Sequence, residues 1–433
     1  MSGSSLRHMV AAVAAFGLLL TGMSACGTSG PQASTGDSGT LHVWVLQDAI
    51  NPVQEAAATE FNKTSTVKVV IDKVGSDGYQ DKLRVSMGSP NALDVFWNWG
   101  GGSIADYVNA GQLTDLGPTL AADPAFKQSF LPSVLDAGKV AGKQYGIPLR
   151  GMQPVVLFYN KDVFAKHNVK PPTTWADLLT LVDTFKAAGI TPFALAGSQG
   201  WTELMWLEYL LDRIGGPKVF ANIAAGKADA WKDPAVLTAA QTIRTLIDRG
   251  AFGTNYASVD YGAGGASTVF ARGKAAMHLM GTWEFANQLT QQPDFAHNGL
   301  GYVAFPPVDG GTGDPADVVG NPTNYFSVSN SSKHKDAAIA FLKTMSSDAY
   351  VSELIKAGDV PVTTNAADKL SSNPNPDFAT FQYQLVQKAP SFTLSWDQAL
   401  TPAGGQTVVT NLQKLFNKQL SPQQYVDAVS SAK

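Results

Sequence analysis

From residue 41 onward the chain alternates between strand-like and helix-like hydrophobic patterns, and this alternation limits the fold more than any other feature. LHVWVL (41–46) reads as a buried strand. NPVQEAAATEFNKT (51–64) reads as a helix, with Asn51 as cap and Pro52 at its first position. VKVVIDKV (67–74) is β-branched and strand-like, YQDKLRVSM (79–87) is helical, and LDVFWNW (93–99) is a third strand. Strands separated by helices pair in parallel, which predicts an α/β fold. The alternation continues with extended segments at 142–149, 154–160, 274–281, 299–306 and 324–329. Helical patterns cover 203–216, 234–250 and 334–358, and a last helix is capped by Ser421 with Pro422 at its first position.

In open α/β sheets, ligands gather at the carboxyl ends of strands. The stretch DVFWNWGGGS (94–103) lies at such an end, where the third strand gives way to a helix over about 103–109. Its glycines let backbone approach closely, and Asn98 offers both donors and an acceptor. Trp97 and Trp99, two apart, share a face of the expected strand and read equally well as cleft or core residues.

The chain has 433 residues, enough for two domains, and 44% hydrophobic content supports a sizeable core. A net charge of −4 without a basic run argues against nucleic acid as partner.

The first residues, MSGSSLRHMVAAVAAFGLLLTGMSAC, have the layout of a signal peptide: Arg7 and His8, an apolar run over 9–20, then small residues. Two readings stand, an ordinary cleavage site and a lipoprotein signal. MSAC resembles a bacterial lipobox ending in Cys26, although Met23 stands where that pattern prefers leucine. Cys26 is the chain's one cysteine, so no internal disulfide can use it. The lipoprotein reading is favoured: a signal over 1–25, lipid attachment at Cys26, a Gly/Ser/Thr-rich tether over 26–40, and a location at the outer face of a cell membrane.

Four stretches carry a family resemblance: LHVWVL, GKQYGIPLRGMQPVVLFYNKDVFAKHNVKPPTTWADLL (142–179), FARGKAAMHLMGTWEF (270–285) and FSVSNSSKHKDAAIAFLKTMSSDAY (326–350). They resemble the extracellular solute-binding proteins of bacterial ABC transporters, in the carbohydrate-binding family that includes the maltose-binding protein. The resemblance implies a two-lobed periplasmic-binding-protein-like fold that clamps a sugar by lobe closure. It implies a first lobe over 41–149 and 308–358 and a second over 151–307 and 361–433. It further implies a monomer without cofactor or catalysis, which passes its ligand to permease subunits in the membrane.

A pyranose presents apolar C–H faces and an equator of hydroxyls, so aromatic planes and planar polar side chains are its natural partners. Trp201 with Glu203, Trp283 with Glu284, and Trp396 with Asp397 each sit at an element end, in segments that correspond to ligand-facing parts of the family. Gln47, Asp48, Trp97, Asn98 and Trp99 would face them from the first lobe. Trp175 and Trp206 read as core. Arg150 has two readings, a fork to sugar oxygens or an interlobe salt bridge. Asn324 could reach the cleft or shape a turn; turn duty is favoured for Asn321, which precedes Pro322. Several tryptophans and acids suit an oligosaccharide better than one ring, and the FWNWGGGS loop resembles that of actinobacterial xylo-oligosaccharide receptors. Two alternatives differ in class: a glycoside hydrolase using facing carboxylates among Glu203, Glu284 and Asp397, and a structural surface lipoprotein. No metal-ligand spacing joins the six histidines.

Overall fold

The computed structural model describes residues 39–76, 78–89 and 93–431. The expected signal segment and Cys26 lie outside them. Strand β1 (Thr40–Leu46) buries Leu41, Val43 and Val45 on one face, as period-2 alternation requires. Strands β2 (Lys68–Val74) and β3 (Val95–Asn98) pair with it in parallel, Val43 lying opposite both Ile71 and Val95. Helices Asn51–Thr64 and Tyr79–Met87 make the crossovers. Asn51 opens its helix instead of capping it. Its side chain accepts from the Asp48 N–H at 2.8 Å and donates to the Leu46 carbonyl at 2.9 Å, tying strand end to helix start.

A hairpin of β4 (Lys139–Val140) and β5 (Lys143–Gln144) precedes β6 (Ile147–Pro148) and β7 (Gln153–Asn160). Then follow β8 (Thr191–Ala194), β9 (Ala275–Gly281), β10 (Leu300–Val303), β11 (Val318–Asn321), β12 (Tyr325–Val328) and β13 (Phe392–Leu394). One sheet runs β2-β1-β3-β12-β6 and the other β13-β11-β7-β9-β8, with β10 also on β7. β7 is almost wholly buried and reads VVLF at its centre, the continuous apolar run of a strand covered on both faces.

Two separate cores follow from the two sheets. The first gathers Val43, Phe96, Trp97, Phe326 and Phe341; the second gathers Val156, Phe158, Phe193, Trp206 and Phe305. Burial of each such side chain stabilises its lobe by roughly 1.5–3 kcal/mol. Among the described residues, no helix is long and apolar enough to cross a membrane.

Two strand-to-strand segments link the lobes, and helix Pro376–Lys388 makes the third crossing. Residues 149–153 join β6 to β7, and residues 322–324 join β11 to β12. They run side by side, the Leu149 N–H donating to the Asn324 carbonyl and the Thr323 hydroxyl to the Arg150 carbonyl, each at 2.9 Å. Residues 359–362 lie against the first of these, with the Met152 N–H donating to the Val360 carbonyl at 2.9 Å. The lobe boundaries therefore differ from the expected ones. β11 pairs with β7 and β13, which puts 308–321 with the second lobe. Val362 and Leu370 pack in the first core, and helix Pro376–Lys388 spans both, with Ala379 in the first and Phe378 in the second.

Candidate functional site

Arg150 sits on the first linking segment and is 2% exposed. Its Nε and Nη2 donate to the two carboxylate oxygens of Asp359, at 3.0 and 2.8 Å, and its Nη1 donates to Asp48. The Gln153 amide, oriented by its neighbours, accepts from Arg150 Nε at 2.9 Å and donates to Asn324 Oδ1 at 2.9 Å. The guanidinium also lies 5.8 Å from the Trp97 ring centroid. Burial works against this charge, but Asp359 and Asp48 outweigh it and hold the pKa above the usual arginine value. Each of its three nitrogens thus donates to a carboxylate of the protein. Arg150 was read as a fork to sugar oxygens or an interlobe salt bridge; here it forms a buried ion cluster whose carboxylates, Asp48 and Asp359, both belong to the first lobe. Asp359, named by no site expectation, is its main partner.

Around the glycine-rich stretch, the strand stops at Asn98, with Trp97 inside it and Trp99 just beyond, and the two differ in burial. Trp97 is 1% exposed in the first core, and its carbonyl accepts the Tyr79 hydroxyl at 2.7 Å. Asn98 is buried, accepting from the Gly100 N–H at 2.9 Å and donating to the Ser327 hydroxyl at 2.9 Å. Both expected contacts are therefore packing and turn residues here. Trp99 is half-buried, edge-on to Tyr79 with centroids 5.7 Å apart. Gln47 is exposed and Asp48 half-buried at the carboxyl end of β1.

The second lobe brings together a ring cluster. Trp283 begins the helix after β9, and Trp201 begins the helix Trp201–Gly215 after β8. Their centroids are 6.1 Å apart, and Tyr261 stands edge-on to Trp201 at 5.4 Å. Both tryptophans and Tyr261 keep partial exposure. Glu284 is buried beneath them. It accepts the Tyr261 hydroxyl at 2.7 Å, the Ser267 hydroxyl at 2.8 Å and the Gln288 amide at 2.7 Å, while Asn287 donates to the Tyr261 oxygen at 2.8 Å. Glu284 thus positions Tyr261 and has no free oxygen for a ligand in this arrangement. Burial and the Glu284 charge hold the Tyr261 phenol well above its ordinary pKa, and Asp48 of the first lobe adds to this. Tyr261 was not legible as a site residue: only its glycine-rich surroundings, YGAGGAS, mark a loop.

The other expected contacts lie deeper. Glu203 is 0% exposed, both carboxyl oxygens lack a partner, and burial pushes its pKa up to about 8. Asn324 is buried in the linking segment, its amide oxygen taken by Gln153. Trp396 is 1% exposed and stacked on Phe220, with centroids 4.3 Å apart and planes 2° from parallel. It packs the second core, contrary to its expected place on a sugar face. Asp397 beside it is half-buried, and burial pushes its carboxyl up to about 6. Glu208, not foreseen, holds this segment by accepting the Ser395 hydroxyl at 2.9 Å and the Trp396 N–H at 2.7 Å.

The comparisons with known proteins agree with this architecture. A family model described as bacterial extracellular solute-binding protein matches residues 45–352. A diacetylchitobiose binding protein of Streptomyces coelicolor is 28% identical over 82% of this chain and 81% of its own length. A multiple sugar-binding protein of Streptococcus mutans is 24% identical over 83% of both chains. An extracellular-binding protein of Pyrococcus horikoshii is 28% identical, and this chain spans about half of it, 48%. A solved structure from work on xylan utilization by the thermophilic bacterium Caldanaerobius polysaccharolyticus superposes with a TM-score of 0.82 at 28% identity, covering 90% of this chain and 99% of that one. A chitin oligosaccharide binding protein gives 0.81 at 25% identity, over 91% and 98% of the two chains.

Proposed function

Because the chain belongs to the bacterial extracellular solute-binding protein family, we propose that it captures an oligosaccharide between its lobes and delivers it to the permease of an ABC importer. The observation that carries the reading is the half-exposed cluster of Trp201, Tyr261 and Trp283, braced from below by Glu284. Tyr261 edge-on to Trp201, with Trp283 tilted against Trp201, offers successive surfaces to the C–H faces of linked pyranoses. Gln47, Asp48 and Trp99 supply polar and aromatic groups from the first lobe. The protein acts as a monomer without turnover, anchored through a lipid on Cys26. Xylo-oligosaccharides are the first candidates, and chito-oligosaccharides, bound by two of the similar proteins, are the second.

Isothermal calorimetry with xylobiose to xylotetraose and diacetylchitobiose tests this, with chromatography of the recovered sugar. The reading expects saturable binding of at least one sugar, returned intact. Shortened products would favour the hydrolase alternative, and no heat with any sugar would remove the reading.

A further inference from the structure

The glycines after Trp99 have different jobs, and their surroundings separate them. Gly100 has φ +73°, and a Cβ there would lie 2.8 Å from the Ala137 carbonyl oxygen and 2.9 Å from the Tyr325 ring. Those neighbours belong to its own lobe, so Gly100 is a folding requirement. Gly102 is different. Its φ lies outside the left-handed region, so its backbone is one that alanine adopts. What forbids a side chain is the other lobe: a Cβ on Gly102 would lie 2.4 Å from the Leu400 carbonyl oxygen and 2.5 Å from that of Ala399. A Cβ on Gly101 would lie 3.0 Å from Leu394 Cδ2.

The turn Gly101–Ile104 is fixed to the first core by buried Ile104, while Trp396–Ala399 is fixed to the second by Trp396. The contact is therefore backbone against backbone, between two lobes. The second-lobe side is braced. Glu208 holds Ser395 and Trp396, the Ser395 N–H donates to the Gly320 carbonyl at 3.0 Å, and Trp396 is stacked on Phe220. Such a surface does not yield to an added methyl group as a flexible side-chain end would.

The contact also has a place along the cleft. In the second sheet β13 stands three strands from β9, about 14 Å at the usual strand spacing. Trp283 follows β9, so the ring cluster and the backbone contact lie toward opposite ends of that rim. In the first sheet, β3 leads to the glycines and its neighbour β1 leads to Asp48.

We propose that Gly102 is a closure stop, which sets how near the lobes come at the β3–β13 end of the cleft and shuts that end to ligand. The position determines affinity without touching the sugar. The inference rests on the sugar-capture reading above.

The test compares wild type with Gly102→Ala by calorimetry, small-angle scattering and thermal melting. The expected result is a ligand-free melting temperature equal to wild type, roughly tenfold weaker sugar binding as the closed state becomes less populated, and a larger radius of gyration at saturating sugar. Leu394→Phe, which enlarges the facing surface from the other lobe, should weaken binding in the same direction. Gly100→Ala should instead lower the ligand-free melting temperature. If wild type binds sugar and Gly102→Ala binds equally well with the same liganded radius, the closure stop is overturned while sugar capture stands. If wild type binds none of the sugars, the capture reading falls and this inference falls with it. If Gly102→Ala is itself unfolded, the glycine serves folding, and an unchanged affinity in Leu394→Phe then overturns the stop.

Discussion

At the scale of residues, tryptophans of one chemistry divide into two roles, and burial tells them apart. Trp396 is closed in by Phe220 and Trp231, whereas Trp201 and Trp283 keep partial exposure over a hydrogen-bonded base. Trp396→Ala should therefore cost about 3–5 kcal/mol of stability, as removal of a buried aromatic does. Trp283→Ala should weaken sugar binding and change stability far less. Denaturant melts and calorimetry on both variants check this; a Trp283→Ala that binds normally would remove the ring cluster from the site. Glu203 gives a second outcome, in pH. Its pKa rises from an ordinary 4.5 to about 8 in the folded protein because the carboxyl is buried. Between those values the folded state holds a proton that the unfolded state has lost, so this group makes stability fall as pH rises through that window. Glu203→Gln should flatten the fall between pH 5 and pH 8 in denaturant melts. An unchanged slope would mean that Glu203 ionises freely. The sequence marked Trp201, Glu203, Trp283 and Glu284 by their element ends. It could not rank them, because exposure depends on which residues of distant segments cover each one.

At the scale of elements, long periodic segments were legible and several short ones were not. The helix over 51–64 and the helix over 79–87 lie where their patterns place them, since local propensity and an apolar stripe agree there. β8, β11 and β13 are three to four residues long and were missed. Their sequences, TPFA, VVGN and FTL, carry proline, glycine or too few residues for a period, and only pairing with distant strands makes them β. That omission also explains the misplaced lobe boundary, because β11 carries 308–321 into the second sheet. Pro and Gly in the sequence suit crossings near 149–151, at the FPPVDGG loop (305–311) and near 359–363; the first lies where expected, whereas the others fall at 322–324 and along helix Pro376–Lys388. What could not be read was that Arg150 at the first crossing meets Asp359, 209 residues away. Arg150→Ala would leave buried Asp359 and half-buried Asp48 without their cation, and should cost about 3–5 kcal/mol. Denaturant unfolding measures it. A loss below about 1 kcal/mol would match an exposed pair instead.

At the scale of the whole molecule, two cores are joined by two adjacent strand-to-strand segments and by helix Pro376–Lys388, which packs against both, so the proposed closure is a hinge motion about these three crossings. A ligand that touches both lobes stabilises the closed form by its differential affinity for it. The anchor belongs to this scale too, although Cys26 lies outside the described residues. Cys26→Ala should move the protein from the membrane fraction to the medium on cell fractionation, and unchanged membrane association would refute acylation at that position. The most direct test of sugar capture by lobe closure is small-angle scattering of the wild-type protein, free and saturated with the tightest-binding oligosaccharide from calorimetry. Closure requires a smaller radius of gyration in the saturated sample; an equal radius, with binding confirmed in the same sample, would contradict it.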